Sequence, residues 1–390
     1  MRSYDFIIVG LGTAGSATCM TLARRGHRVL GLDQFSPPHT RGSHHGLSRS
    51  VRRAYPEGSS YVMMAQKSWE LWRKLEKDSG RRLLIKTGNL TLGPPDCPAL
   101  SGFLHSAQKH GILHEYLSAL EVEKRWPQFS LPDYFYAGLE SEAGIVFPEP
   151  AITAFLDEGR QAAADLHLNE GVKRWTEHAA GVEVRTSRAS YHGGRLLLAA
   201  GAWSRNLSGR LSAVLTPKRI AVHWVEPVAE EPFSLGRFPV NFWQVPVCND
   251  PVFPEGFKEF YSLPMLRPDG QIKVAFHNGL SDGDPDSGSN TIRDDETTMI
   301  NEMIAAYLPG LAGCPMQVNA CFYTMTPDKD FYLGRLPESQ HVFGAALAGH
   351  GFKFAPLLGE LLADLLLDLP SPVDISMFSP ERFKFYQQPC

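Results

Sequence analysis

The chain has 390 residues, and its 38 lysines and arginines against 42 aspartates and glutamates give a formal net charge of −4. Hydrophobic residues make up 43% and charged residues 21% of the sequence, which is typical of a globular protein and excludes a disordered or fibrous one. This length predicts two domains or one large α/β unit, and the charge argues against a nucleic-acid partner, because no basic excess is available to neutralise phosphates.

The six cysteines are scattered, with no CxxC pair and no cluster at zinc spacing: Cys19, Cys97, Cys248, Cys314, Cys321 and Cys390. This pattern predicts a cytoplasmic protein without a disulfide framework or a bound metal. The uncharged run from Phe6 to Ala23 contains several glycines and hydroxyl residues, and Asp5 stands where a signal peptide carries positive charge. We therefore expect neither a signal peptide nor a membrane span there.

The first predicted elements form a βαβ unit. Residues 4–9 are an apolar run typical of a buried strand, Gly10-Leu11-Gly12-Thr13-Ala14-Gly15 opens a helix that continues to about residue 25, and a second strand covers residues 27–32 before Asp33. In such units the three glycines allow a tight turn, the approach of a pyrophosphate and close helix–strand packing. The helix N-terminus stabilises the phosphates and the acid accepts the ribose hydroxyls. The chain is therefore predicted to bind a dinucleotide.

The sequence after Asp33 favours FAD over NAD. A nicotinamide-binding fold usually continues at once through further βαβ units, but residues 37–46 have the composition of a loop and a helix is predicted over residues 60–77. The next strand–glycine signals come only at residues 195–203 and 341–349, the second leading into a helix predicted over residues 356–367. A nucleotide fold interrupted by long insertions suits a flavin, whose ring must reach a second domain.

Several motifs point to a particular protein family more specifically than the glycine pattern of residues 10–15 does. They are Gly42-Ser43-His44-His45-Gly46 with Arg49 and Arg52, Ala54-Tyr55, Lys86-Thr87-Gly88, Gly201-Ala202-Trp203, Tyr261-Ser262-Leu263-Pro264, Lys273 with His277, Cys321-Phe322-Tyr323-Thr324, Gly349-His350-Gly351-Phe352-Lys353-Phe354, and Asp374-Ile375-Ser376 with Phe378. In this order and over nearly the whole chain, the sequence resembles the monomeric sarcosine oxidase family, which includes N-methyltryptophan oxidase and pipecolate oxidase relatives.

The resemblance implies an α/β fold with an interrupted Rossmann-like FAD-binding domain and a second α+β substrate domain built on a large mixed sheet. It predicts that residues 1–81, 145–215 and 321–390 form the first domain and that residues 82–144 and 216–320 form the second. It also implies a monomer whose partners are a small amino acid and O2.

The resemblance further implies FAD joined through the sulfur of Cys321 to the 8α-methyl group of the flavin. The thiol must react as a thiolate, and we expect Arg49 or His45 to lower its pKa. The predicted cofactor-binding residues are Gly10, Gly12, Thr13, Ala14, Gly15, Asp33, Ser43, His44, His45, Arg49, Gly201, Trp203, Cys321, Gly349, Gly351, Phe352 and Lys353.

The reaction implied by the resemblance is oxidation of the C–N bond of a secondary α-amino acid, with hydrolysis by water and reoxidation by O2 to H2O2. Arg52 and Lys353 resemble the family's anchors for the substrate carboxylate, a role that suits a guanidinium fork and a compact ammonium. Tyr261 and Tyr323 resemble residues that line its substrate cavity, and residues 241–245 are a further aromatic segment expected there.

Lys273 and His277 are four residues apart on a predicted strand, so they share one face, together with Ala275. Ile272, Val274 and Phe276 should point to the other side. The resemblance places His277 beside the substrate amine and Lys273 near flavin N5, where its charge would stabilise the negative charge that develops on O2.

Some residues depart from the family pattern. Leu47 stands where relatives often have an acid, residues 166–190 show weak patterning although they should hold the second nucleotide-contacting strand, and the acidic residues 281–286 are expected to form a surface loop rather than a calcium site. The alternatives left open are a relative specialised for a cyclic or bulky amine, one that uses an acceptor other than O2, an NAD-dependent dehydrogenase and a non-catalytic flavin-binding protein.

Overall fold

The computed structural model describes residues 3–266, 270–279, 281–287 and 292–387, and Cys390 lies outside these ranges. Within them the strands, in chain order, are β1 (Ser3–Val9), β2 (Val29–Leu32), β3 (Arg49–Val51), β4 (Leu84–Lys86), β5 (Asn89–Gly93), β6 (Glu115–Ser118), β7 (Tyr136–Glu140), β8 (Gly144–Val146), β9 (Asp165–His167), β10 (Val172–His178), β11 (Gly181–Thr186), β12 (Ser190–Leu198), β13 (Thr216–Val225), β14 (Val240–Pro246), β15 (Phe257–Leu263), β16 (Ile272–Phe276), β17 (Ser281–Asp282), β18 (Met316–Met325), β19 (Tyr332–Arg335) and β20 (Val342–Ala346).

The α-helices of the same ranges are α1 (Thr13–Arg24), α2 (Ser59–Ser79), α3 (Pro98–Lys109), α4 (Ala119–Arg125), α5 (Pro148–Gln161), α6 (Ser204–Leu207), α7 (Gly209–Ser212), α8 (Asp294–Tyr307) and α9 (Ala355–Leu366). In none of these helices does an apolar stretch reach the length that a bilayer crossing requires.

The first sheet is built around parallel strands in the order β9-β2-β1-β12-β20. The edge strand β19 is antiparallel to β20, and the β10–β11 hairpin pairs with the first half of β12. The helices α1, α2, α5 and α9 pack on one another over a buried apolar core at one side of this sheet. The parallel order brings the carboxyl ends of β1, β2, β12 and β20 to a common edge, where α/β sheets bind ligands.

The predicted βαβ unit is confirmed as β1, α1 and β2. Gly10 has φ +89°, a value that L side chains rarely adopt, and this lets the chain turn sharply from β1 towards α1. A Cβ atom at Gly15 would lie 1.8 Å from the carbonyl oxygen of Gly10, so only glycine allows α1 to pack this closely on the end of β1. The two glycines therefore have the roles that the sequence predicted.

The second sheet is mixed, with the order β17-β13-β16-β15-β14-β5-β7-β6, and β18 pairs with β13 along its full length. One face is covered by α4 and α8 around a second apolar core. Residues alternate across this sheet, so Ile272, Val274 and Phe276 of β16 point into that core while Lys273 and His277 line a cavity on the opposite face. The predicted shared face of Lys273 and His277 is confirmed. A small third sheet, β3-β8-β4, completes the fold.

The predicted elements fall close to the observed ones. The helix predicted over residues 60–77 is α2 and the one over 356–367 is α9, whereas the strand expected over 27–32 forms only from residue 29. The strand predicted before Gly201 is β12, and a short 3₁₀ turn, Gly201–Trp203, follows it.

The mixed α/β fold with large sheets is confirmed, and the division into two domains stays a prediction. Two of its boundaries need correction, since 144/145 falls inside β8 and 320/321 falls inside β18. The second boundary is wrong because Cys321 lies on a strand that belongs to the mixed sheet over its whole length.

Candidate active site

Two adjoining cavities lie between the carboxyl edge of the first sheet and the open face of the second. One has a volume of about 310 Å³ and is lined by the glycine turn after β1 and by the residues that follow β2, β12 and β20. The other has a volume of about 1420 Å³ and is lined by β13 to β16 and β18. They share a wall formed by Arg49, Tyr323, Ala348, Gly349 and Phe352. We call them the nucleotide cavity and the substrate cavity.

The nucleotide cavity has the features of a dinucleotide site. The helix α1 begins after Gly12 without a side-chain cap, so the backbone N–H groups of its first turn have no capping acceptor and can bind an anion. Asp33 lies at the end of β2, where its two oxygens accept the backbone N–H groups of Leu11 and Phe35, each at 2.8 Å. Each carboxylate oxygen keeps a further lone pair for a hydroxyl. These groups fit the pyrophosphate and the ribose of FAD.

Part of the segment 166–190, whose sequence pattern is weak, lines the nucleotide cavity. Glu170, Val172 and Lys173, around the start of β10, are among its lining residues, although the sequence singled out none of them. The acidic segment 281–286 also differs from the expected surface loop, because Ser281 and Asp282 form β17 and Asp286 accepts a hydrogen bond of 2.7 Å from Trp203 Nε1 at the cavity wall. No group of three or more potential metal ligands occurs among the residues that the structure describes.

The loop before β3 separates the two cavities. Arg49 donates hydrogen bonds to the carbonyl oxygens of Ser43 (2.6 Å) and Ser48 (2.7 Å), which fixes the loop around its own guanidinium. Burial lowers the pKa values of His44 and His45 to about 3, with neighbouring cations adding to the effect for His45. The buried Nε2 of His45 has no hydrogen-bond partner among the described residues, so it can bind a ligand at this junction.

Leu47, the departure from the family pattern, lies in the same loop with φ 62° and a solvent-exposed side chain. Its backbone N–H and that of Gly46 donate to Glu149 Oε1 at 3.0 Å and 2.7 Å. The carboxylate that holds this turn therefore comes from α5 instead of from position 47.

Lys273 is buried beneath this loop. Its Nζ donates to the carbonyl oxygens of Gly46 (2.9 Å) and Ser48 (2.6 Å) and lies 5.5 Å from the centre of the Trp224 ring. Burial, together with the charge of Arg49, holds its pKa well below the usual range for lysine. Lys273 is thus an amine fixed at the junction of the two cavities and able to hold a proton there.

Cys321 lies on β18 in the wall of the substrate cavity, with 4% of its surface exposed. Burial raises the pKa of its thiol, and the charges of Arg49 and Lys273 only partly oppose this effect. Arg49 therefore lowers the pKa of the thiol as predicted, but burial outweighs this effect. His45 is not among the groups that affect this pKa.

Arg52 and Lys353 lie at the same end of the substrate cavity, and their partners are uncharged. The guanidinium carbon of Arg52 is 5.4 Å from the ring centres of both Tyr55 and Phe242, and its buried Nε has no hydrogen-bond partner among the described residues. Lys353 donates to Tyr55 Oη (3.1 Å) and to a backbone carbonyl. Burial and the charge of Arg52 lower the pKa of Lys353 to about 7. The two cations thus form an anion site walled by aromatic rings.

His277 lies next to this anion site. Its ring is 5.9 Å from the rings of both Phe242 and Tyr323, measured between centroids. Burial, reinforced by Lys353 and Arg52, lowers the pKa of His277 to about 3, so the imidazole is neutral at physiological pH. Tyr261 completes the wall, and burial raises its pKa to about 12. A neutral imidazole beside an anion site can accept a hydrogen bond from an amine N–H.

The structure places the predicted site residues around the two cavities, with one exception that lines neither cavity and has a packing role. Gly15 lies behind the nucleotide cavity in the α1–β1 contact, and the others line one or both cavities. Of the expected segment 241–245, Asn241, Phe242 and Gln244 line the substrate cavity, whereas Trp243 is buried in the second core. Sequence reasoning missed Tyr55, which contacts both cations, although the Ala54-Tyr55 motif drew attention to that position.

Comparison with known proteins agrees with this geometry. Residues 5–365 match the model of the FAD dependent oxidoreductase family. The chain is 34% identical to the monomeric sarcosine oxidase of Streptomyces avermitilis over 384 residues, which cover 97% of this chain and 98% of that protein. It is 32% identical to the N-methyl-L-tryptophan oxidase of Yersinia pestis over 385 residues, or 98% of this chain and 100% of that protein.

Solved structures show the same architecture. NikD, described as an unusual amino acid oxidase essential for nikkomycin biosynthesis, superposes with a TM-score of 0.83 at 25% identity, over 97% of this chain and 98% of that one. A glycine oxidase from Geobacillus kaustophilus shares the fold with a TM-score of 0.78 at 19% identity, over 97% of this chain and 98% of that one. With a glycine turn suited to a pyrophosphate and an adjoining cavity that holds an anion site, the chain belongs to the family of FAD-dependent oxidoreductases and is a flavin amino acid oxidase related to sarcosine oxidase and N-methyltryptophan oxidase.

Proposed function

We propose that the protein oxidises the C–N bond of a secondary α-amino acid, such as sarcosine or another N-alkyl amino acid. The substrate, O2 and water would be converted into the primary amino acid, an aldehyde and H2O2. An N-methyl group would leave as formaldehyde. FAD would supply the acceptor for the two electrons and the hydrogen that leave the substrate.

One observation carries the proposal: two cations with uncharged partners, Arg52 and Lys353, lie beside a neutral histidine in a cavity that shares a wall with the nucleotide cavity. A substrate carboxylate would give both cations an ion-pair partner, which neither has among the described residues. With the carboxylate held, the amine of an α-amino acid lies within reach of His277. The imidazole would then accept a hydrogen bond from the N–H group and orient the nitrogen lone pair.

The remaining residues support the use of O2. Lys273 is buried at the junction of the cavities with its Nζ held by two carbonyl oxygens, so it can stabilise negative charge that develops on O2 during its reduction. Aromatic walls from Tyr261, Tyr323 and Phe242 limit water beside the reacting carbon.

We also propose that the FAD is covalently attached through Cys321 Sγ. The thiol lies in the wall of the substrate cavity, close enough to Arg49 and Lys273 for both charges to favour its thiolate. A bound electron-poor ring would have to outweigh the effect of burial, which favours the thiol. We further propose that the enzyme acts as a cytoplasmic monomer.

The proposal is tested by measuring H2O2 release and, without oxygen, bleaching of the flavin absorption. The substrates are sarcosine, other N-methyl amino acids, proline, pipecolate and glycine. Bleaching by secondary amino acids with stoichiometric H2O2 in air is expected. Bleaching without H2O2 would favour another electron acceptor, and a flavin that no amino acid bleaches would refute the proposed function.

A further inference from the structure

The wall of the substrate cavity beyond the anion site is polar. The strands β14 and β15 are antiparallel neighbours, and their register pairs Phe242 with Tyr261 and Gln244 with Glu259. These four side chains point to the cavity face of the sheet, whereas Trp243 and Phe260 between them point into the second core. Moving two residues along the strands thus leads from an aromatic pair to an amide–carboxylate pair.

The orientation of the amide–carboxylate pair is fixed by the fold. The backbone N–H of Ala99, in the first turn of α3, donates to Gln244 Oε1 at 2.8 Å. The amide nitrogen of Gln244 therefore faces Glu259 and donates to its Oε1, also at 2.8 Å. The backbone N–H of Glu259 donates to Asn278 Oδ1 at 3.0 Å, which holds the strand at this position. The carboxylate keeps lone pairs on both oxygens beyond this single hydrogen bond.

Glu259 also lies next to the groups that would handle the substrate amine. The backbone N–H of His277 donates to the carbonyl oxygen of Glu259 at 2.6 Å, so the two residues are cross-strand neighbours on one face. Arg52 lies over Phe242, and Gln244 is two residues further along the same strand, a distance of roughly 7 Å. A carboxylate thus faces the cavity about one amino-acid side chain away from the anion site.

Among the residues that the structure describes, none forms an ion pair with the carboxylate of Glu259. Lys329, whose charge reaches Glu259, forms an ion pair with Glu255 instead. Burial raises the pKa of Glu259, and the negative charges of Glu255 and of the exposed Glu57 at the cavity mouth act in the same direction. A half-buried carboxylate with one amide partner is costly, and a bound cation would offset that cost.

We propose that Glu259, oriented by Gln244, binds a positively charged group at the far end of the substrate, so that the preferred substrates are secondary α-amino acids with a second, basic amino group. This inference rests on the proposed function and names its substrate class. The anion site takes the α-carboxylate, His277 faces the α-amine, and Glu259 takes the distal ammonium group.

The test compares ligands with the same carbon chain, of which one carries a distal ammonium group and the other does not. Binding of 5-aminopentanoate and of pentanoate is measured from the change in the flavin absorption, for the wild type, Glu259→Gln, Glu259→Asp and Glu255→Gln. The last variant controls for a general loss of negative charge, because it removes a neighbouring carboxylate, the partner of Lys329, while Glu259 itself stays in place. Oxidation rates of Nα-methyl-lysine and N-methyl-norleucine are compared in the same proteins.

We expect the wild type to bind 5-aminopentanoate about tenfold to a hundredfold more tightly than pentanoate, the range for a hydrogen bond between charged groups. The preference should vanish in Glu259→Gln and persist in Glu255→Gln. Glu259→Asp keeps the charge and should keep part of the preference, which separates loss of charge from loss of folding.

Three results would overturn the inference. They are no preference in the wild type, a preference that survives Glu259→Gln, and an equal loss of rate for both N-methyl amino acids, which would mean that Glu259 acts on the α-amine. In each case oxidation of secondary amino acids by the wild type would leave the proposed function standing. If no secondary amino acid is oxidised at all, the proposed function fails and this inference fails with it.

Discussion

Replacing Arg52 by methionine should weaken the binding of carboxylate ligands without destabilising the fold. In the free protein the guanidinium contacts the rings of Tyr55 and Phe242, and its buried Nε has no hydrogen-bond partner in the described ranges. Methionine keeps the apolar contact with both rings. What is lost is the charged donor for the ligand, worth about 1.5–3 kcal/mol, or roughly a tenfold to hundredfold increase in Kd.

The adjacent arginine provides the control. Arg53 Nε donates to Glu140 at 3.0 Å, and the Glu140 side chain is fully buried. Arg53→Met would leave that carboxylate with the backbone N–H groups of Arg53 and Ala54, at 3.1 and 3.0 Å, as its remaining donors. We expect a loss of about 3 kcal/mol, the lower end for breaking a buried pair, because these donors persist. At about 2.1 cal/mol/K per residue, this lowers Tm by about 4 °C.

The assay is a titration of each purified variant with a carboxylate, followed in the flavin absorption, together with thermal unfolding. Arg52→Met should change Kd and leave Tm within about 1 °C, and Arg53→Met should do the reverse. An Arg52→Met protein that binds carboxylates like the wild type, or that loses as much stability as Arg53→Met, would refute the assignment of Arg52 to the anion site.

Three further predictions concern single residues. Cys321→Ser should bind FAD that acid precipitation releases, whereas the wild-type flavin should stay with the chain; release from the wild type would disprove the attachment. Lys273→Met should slow reoxidation by O2 in stopped-flow experiments much more than anaerobic reduction by substrate, and equal slowing would contradict its role. Because Lys353, with a pKa of about 7 in the free site, is charged only below that pH, binding of a carboxylate without an amine should weaken as pH rises through 7, by up to tenfold per unit. Lys353→Met should flatten this profile, and an unchanged profile would rule Lys353 out as its source.

What could be predicted from the sequence was mainly local or carried by motifs. The βαβ unit depends on neighbouring residues, so Gly10, Gly15 and Asp33 could be assigned from their spacing. The shared face of Lys273 and His277 followed from the two-residue period of a strand. The other site residues were predicted from the motifs that resemble the sarcosine oxidase family.

What could not be predicted depends on pairing between distant segments or on burial. The contact of Gln244 with Glu259 needs the β14–β15 register and the position of α3, and the bond between Trp203 and Asp286 joins residues 83 positions apart. The effect of Arg49 on the Cys321 pKa was predicted, but the larger and opposite effect of burial was not, because no motif shows burial.

The pairing of β18 with β13 over ten successive residues has a consequence for how such enzymes diversify. Cys321 and Tyr323 lie on one face of that strand. A shift of β18 would therefore displace the proposed flavin attachment and this wall of the substrate cavity together. The opposite wall belongs to β14 and β15, which are separated from β18 in the order of strand pairing by β16 and β13, although the Tyr261 side chain of β15 hydrogen-bonds Tyr323 of β18. New substrate preferences can therefore arise by exchanging side chains such as Phe242 or Glu259, while the geometry of electron transfer is inherited unchanged.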